Sequence, residues 1–226
     1  MSESTFNSHL PHWHRTNKGE HRAPVVIVVM LVIFLQNALP NELAVGLQHP
    51  ICITEGVLAL ILLAISPKRI NKHHMPTRIL GLSLTTIMTI SNTASAALLM
   101  RFLIFGQSQD PKHLLLSGAS IWLTNIIIFS MWFWDLDRGG PGARAEAINQ
   151  YPDFIFPQMS DPAYAPEHWH PNFFDYLYIS FTNASAFSPT DVLPLTRWAK
   201  MLMMMQSLTS LLIVGLVVAR AVNILH

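Results

Sequence analysis

The densest set of side chains able to bind or pass a solute lies towards the C-terminus, where Thr182, Asn183, Ser185, Ser188, Thr190 and Asp191 follow the aromatic stretch starting at Phe173. Hydroxyl, amide and carboxylate groups this close together offer many hydrogen-bond donors and acceptors within one turn. They could line a polar cavity. A second set is defined by isolation: Glu55, Arg101 and Arg220 each sit inside a long apolar run. Charges in such surroundings are costly and are functional candidates by default. The three can form one ionic cluster, or Arg101 and Arg220 can extend their stems to a polar boundary with Glu55 at its edge.

Other groups carry weaker chemistry. His12-Trp13-His14 and His168-Trp169-His170, the latter beside Glu167, make a surface metal site conceivable, but neither stretch is predicted to lie on a regular element that would fix ligand geometry. No metal or cofactor is expected. Met201, Met203, Met204 and Met205 fit adaptable helix packing. Gly118-Ala119-Ser120 resembles the serine motif of intramembrane proteases, yet no later apolar run supplies a histidine to act as base. Catalysis is not expected. The one cysteine, Cys52, excludes an intrachain disulfide and a cysteine-based zinc site.

The elements that must position these groups are apolar and long. The chain has 226 residues, of which 51% are hydrophobic and only 12% charged, about half the charged share of a soluble domain. Too little polar surface remains to cover a water-facing globule, so a lipid bilayer is the expected surrounding. A net charge of +1 with bases gathered near the ends of apolar runs gives no reason to expect nucleic acid.

The runs are Pro24 to Leu39, Pro50 to Ile65, Ile79 to Phe105, Leu114 to Trp134 and Trp198 to Val222, which predicts an all-α, polytopic bundle of about five spans. The first would reach only ~24 Å as a helix and is the shortest crossing. It is read as an uncleaved anchor, because residues 37–41 lack a small-x-small cleavage site. Small residues from Ser91 to Ala97 suit close helix approach inside the bundle. Trp132 and Trp134 suit an interfacial belt.

Four regions follow: a polar tail over 1–23, a four-helix transmembrane region over 24–134, an extramembrane loop over 135–172, and a short helix with a final span over 173–226. The loop is broken by so many glycines and prolines that no long helix can persist there. Phe173 to Phe187 is too short to cross hydrocarbon and must dip in or lie flat. Either it is an interfacial helix or packing plug with Phe173, Leu177 and Phe181 on one face, or it is a re-entrant loop lining a cavity. Arg15, Lys18 and Arg22 in the tail and Lys68, Arg69, Lys72 and Arg78 after the second run place both on the cytoplasmic side. Five crossings then put the 135–172 loop inside as well.

The order from Phe173 to Asp191, an aromatic helix, a small polar turn, a proline and an aspartate before a full-length helix, is similar to the pore helix, filter and inner helix of the potassium-channel module. The filter glycines of that module are absent, and Ala186-Phe187-Ser188-Pro189 stands in their place. The whole chain resembles a family of uncharacterised bacterial integral membrane proteins with an Asp-x-x-Phe-Pro loop, here Asp153 to Pro157, and a Phe-x-Asp-Tyr-x-Tyr-x-Ser-Phe-Thr run, here Phe173 to Thr182. The resemblance implies a multi-pass protein of the bacterial inner membrane. The expected function is a channel-like or transport protein without a potassium filter, the module completed by self-association as a homo-oligomer. The alternative is a non-transporting membrane scaffold or interaction protein.

Overall fold

The computed structural model describes residues 12–40, 42–43, 48–65, 69–105, 111–161, 163, 165–166, 168–185 and 191–225. It is 75% helical, and its strands are two-residue pairs that pin loops together. Helices occupy each of the apolar runs: α1 (Ala23–Asn37), α2 (Gln48–Ile65), α3 (Met75–Ile104), α4 (Pro111–Leu136), α7 (Phe173–Ser185) and α8 (Arg197–Leu225). Two short helices, α5 (Pro141–Ala145) and α6 (Pro157–Ser160), lie in the 135–172 segment. Proline stands in the first turn of α1, α3, α5 and α6, where its missing N–H has no intrahelical partner to lose.

Three helical stretches, Met75–Ile104, Lys112–Gly139 and Arg197–Ala219, are long and apolar enough to cross a membrane. Helix α1, with 15 residues, and α2, with 18, are shorter apolar helices. Helix α4 is the hub and packs against α1, α3, α7 and α8, while α2 is held between α1 and α3. Of the small residues from Ser91 to Ala97 on α3, Ser91, Ser95 and Ala96 are buried at a helix contact, while Thr93 and Ala97 are exposed. Gly118 of α4 is filled closely by Val217 of α8, whose methyl would lie 2.7 Å from an added Cβ.

One end of the bundle carries a folded cap. Residues 12–22, read from sequence as part of a polar tail, are docked onto it. Strand β1 (Glu20–His21) pairs antiparallel with β2 (Arg69–Ile70), Glu20 opposite Ile70 and His21 opposite Arg69. Strand β3 (Phe154–Ile155) pairs with β4 (Leu193–Pro194), and Leu195 N–H donates to the Asp153 carbonyl at 2.8 Å. These pairings tie the tail, the α2–α3 connection, the 135–172 segment and the start of α8 to one end.

Helix α7 begins at that cap and points into the bundle. Its start is a capping box: Asn172 Oδ1 accepts from Phe174 N–H at 3.0 Å and Asp175 Oδ2 accepts from Asn172 N–H at 2.7 Å. At ~20 Å it reaches the level of Met203 and Gln206 on α8, and the chain is back at the cap by Leu193. The buried face differs from the expected one. Phe173, Tyr176, Ile179, Ser180 and Ala184 face inward, while Phe181 is 49% exposed. The polar Tyr176 and Ser180 displace Phe181 because each finds a hydrogen-bond partner in the interior.

The cap meets the α2–α3 connection at a glycine. A Cβ on Gly142 of α5 would lie 2.4 Å from the Lys72 carbonyl oxygen and 3.1 Å from His73 Cα. Gly142→Ala is therefore expected to push this connection off the cap and lower stability by about 1 kcal/mol, read as a lowered unfolding midpoint in detergent.

Candidate functional site

The largest concentration of buried charge lies where α4 runs into the cap. Asp137, Arg138 and Arg144 are each under 5% exposed, an arrangement tolerated only when the charges are paired and hydrogen-bonded. Arg144 is the centre. Its Nη2 pairs with Glu20 Oε1 at 2.8 Å, and its Nη1 donates to the carbonyls of Trp134 (2.7 Å) and Asp137 (2.9 Å). Its guanidinium also lies over the Tyr176 ring, 5.0 Å from the centroid. Tyr176 O–H donates to Asp137 Oδ2 at 2.5 Å, and Asp137 Oδ1 accepts from Asp153 N–H at 2.9 Å.

Arg138 continues the network outward. It adopts a left-handed backbone conformation, φ 51°, which costs energy for a side-chain-bearing residue and persists because its surroundings over-determine it. Its N–H donates to Asp153 Oδ2 (2.8 Å), its Nε to the Asn149 carbonyl (2.9 Å) and its Nη1 to the Trp13 carbonyl (2.7 Å). Gly140, φ 95°, makes the turn that follows, and an added Cβ would meet the Asp135 carbonyl at 2.9 Å. Asp153 also accepts from Trp198 Nε1 at 2.9 Å, which fixes α8 to the cap. Burial holds His14 below the ordinary imidazole value, and the Arg138 charge adds to the effect.

Trp134, expected at a lipid interface, is 4% exposed and donates to Glu20 Oε2 at 2.7 Å. Trp132 donates to Thr89 Oγ1 at 2.9 Å. Both indoles are polar fasteners between elements.

Beside this network is a cavity of about 80 Å³ between α1, α3, α4 and the Gly139–Gly142 turn, walled by Asp135, Arg22, Arg78 and Thr77 among polar groups. Arg22 donates to the Leu62 carbonyl. The Asp135 carboxylate is held in the field of Arg144, Arg78 and Arg22.

The residues singled out from sequence are distributed differently. Thr182, Asn183 and Ser185 lie on α7, not in an irregular turn. Thr182 Oγ1 and Ser185 Oγ donate back to carbonyls of their own helix, Tyr178 (2.9 Å) and Phe181 (2.8 Å). Asn183 Nδ2 donates to the Met203 carbonyl (2.9 Å) and to Gln206 Oε1 (2.8 Å), and Ser207 Oγ donates to Asn183 Oδ1 (3.0 Å). Gln206 Nε2 donates to the Ser180 carbonyl (2.9 Å) and Ser180 Oγ (2.6 Å), and Ser180 Oγ donates to the Ile126 carbonyl (2.6 Å). Asn125 Nδ2 donates to Ser210 Oγ at 3.2 Å. Together they form a polar seam joining α4, α7 and α8. Asp191 is exposed in a bend outside it. Ser188 and Thr190 lie outside the described residues.

Glu55 is fully buried on α2 beside Gln36 of α1, and Cys52 Sγ is 3.7 Å from Gln36 Oε1. Arg101 is exposed on α3, and no ion pair joins it to Glu55 among the described residues. The side chain of Arg220 lies outside the described set, as do Glu167 and the side chain of His12. Among the described residues no group of three His, Cys, Asp or Glu side chains is placed to hold a metal ion.

The charge network is not legible in sequence because its partners are far apart in the chain: Glu20 and Arg144 are separated by 124 positions. The Asp-x-x-Phe-Pro loop was the available signal, since Asp153 bonds to Arg138 and Trp198 while Phe154 and Phe156 are core residues. No protein-family model, curated protein or solved structure matches the chain.

Proposed function

We propose that the protein is a five-crossing integral membrane protein that works as a scaffold or interaction protein, with its tail and cap on the cytoplasmic side and α7 entering the bilayer from that side as a re-entrant plug. Helices α1 and α2 complete the crossings beside the three longer helices. The orientation is supported by the bases gathered at the cap end, Arg15, Lys18, Arg22, Arg69, Lys72 and Arg78 among them. Membrane-length apolar helices support the bilayer as the surrounding phase.

The observation that carries the non-transporting reading is the α7–α8 seam. Asn183, Ser180, Gln206 and Ser207 satisfy one another across the helix contact. Side chains committed to interhelical hydrogen bonds behave as packing, whereas a permeation path needs polar groups directed at a wet lumen.

In sealed vesicles reconstituted with the full chain, potassium, sodium and proton flux should equal that of protein-free vesicles. Flux by the native chain that Asn183→Leu abolishes would overturn this reading in favour of a channel.

A further inference from the structure

At the cap end a groove of about 1060 Å³ runs between the start of α1, the end of α2 and the α2–α3 connection. It adjoins the small cavity beside Asp135, with which it shares Arg22, Lys72, His74 and Thr77. The polar side of the groove carries Arg22, Arg69 and Lys72 together with His21 and His74, and among the described residues no carboxylate lines it. Lys72 makes no hydrogen bond or ion pair among the described residues, and its side chain is exposed. Arg69 and Lys72 are both exposed in this one concavity, and two cations so placed repel each other and attract an anion.

The other side is apolar. Val26 and Ile27 of α1 and Leu63 and Ile65 of α2 line it, with Ile27 66% and Ile65 52% exposed. The groove lies at the first turns of α1 and α3, marked by Pro24 and Pro76, where the apolar runs give way to basic connections. A soluble anion would use the cationic side and leave the apolar wall uncovered. A phospholipid uses both, its phosphate on the bases and its acyl chains along the wall. Basic pockets between helices on the cytoplasmic side suit anionic head groups for this reason.

We infer that this groove is a binding site for an anionic phospholipid of the cytoplasmic leaflet. The inference rests on the membrane reading proposed above. Arg69 and Lys72 supply the exposed charge, with Arg69 oriented by its bonds to the Gly19 carbonyl (3.1 Å) and His21 Nε2 (2.7 Å). Arg22, 8% exposed, backs them from the inner wall. A bound lipid would join the docked tail, α2 and α3 at the point where β1 meets β2.

The test titrates the full chain in mild detergent with phosphatidylglycerol, phosphatidylcholine or inorganic phosphate, and reads bound lipid by native mass spectrometry. Phosphatidylglycerol should be retained in preference to phosphatidylcholine. Each of Arg69→Gln and Lys72→Gln should weaken its retention about fivefold, the effect of one base near an anionic lipid surface. The charge-preserving pair Arg69→Lys and Lys72→Arg should keep it, and Arg101→Gln at the far end should leave it unchanged. Equal retention of both lipids, displacement by inorganic phosphate at matched concentration, or insensitivity to Lys72→Gln would overturn the inference. Lys72→Gln removes no hydrogen bond or ion pair among the described residues, so a folding defect in Arg69→Gln leaves the test intact. A chain that stays monomeric in buffer without detergent, before any lipid is added, overturns the membrane reading and the inference together.

Discussion

Arg144→Met is expected to lower the unfolding free energy by about 3–5 kcal/mol, the usual cost of removing one partner from a buried charge pair. The loss is large because of what stays behind. Glu20 loses its 2.8 Å ion pair, the carbonyls of Trp134 and Asp137 lose their donor, and the ring of Tyr176 loses the cation above it. Water cannot readily replace these partners, since Asp137 and Tyr176 are both 0% exposed. The double variant Glu20→Gln with Arg144→Met should recover part of the loss, because it also removes the uncompensated carboxylate. Denaturant midpoints of the singles and the double in one detergent measure the coupling. An Arg144→Met chain as stable as the native one would mean that Arg144 does not sit at the centre of a buried network.

Gln206→Leu should cost about 2 kcal/mol, near the upper end for hydrogen bonds between membrane helices. Gln206 is 0% exposed and bridges two positions of α7: it donates to Ser180 and accepts from Asn183. Leucine fills a similar volume but leaves the Ser180 carbonyl and one Asn183 N–H short of partners. Ser180→Ala alone should cost less: it removes the bonds of Ser180 Oγ to the Ile126 carbonyl and from Gln206 Nε2, but leaves Gln206 bonded to the Ser180 carbonyl and to Asn183. Adding Ser180→Ala to Gln206→Leu should therefore cost less than the sum of the two. Strict additivity would argue that the seam does not act as a unit.

The long apolar runs made the helices legible, since length and hydropathy mark such segments whatever they pack against. Pro24 marks the start of α1, whereas α3 and α4 begin at Met75 and Pro111, ahead of the apolar runs at Ile79 and Leu114. The cap was not legible. Its glycines and prolines say only that no long helix persists, and its order comes from contacts between residues far apart in sequence, such as Trp13 with Arg138 and Asp153 with Trp198. Among the polar residues of the apolar runs, Asn125, Gln206, Ser207 and Ser210 bond between helices, whereas Thr209 donates to the Met205 carbonyl of its own helix. Asn183 reads as a cavity-lining group because sequence gives residue type and not direction. Its neighbour Gln206, 23 positions away, decides what it touches.

Aqueous accessibility at position 183 tests the account most directly. In a background with Cys52→Ala, single cysteines are placed at Asn183 and at Tyr151, which is 87% exposed on the cap, and sealed vesicles of known sidedness are treated with a membrane-impermeant maleimide. Cysteine at 151 should react from the cytoplasmic face alone, and cysteine at 183 should stay unlabelled from either face until the protein is denatured. Labelling at 183 in the folded protein at a rate comparable to 151 would show water reaching the seam, and the packed, non-conducting reading would be wrong.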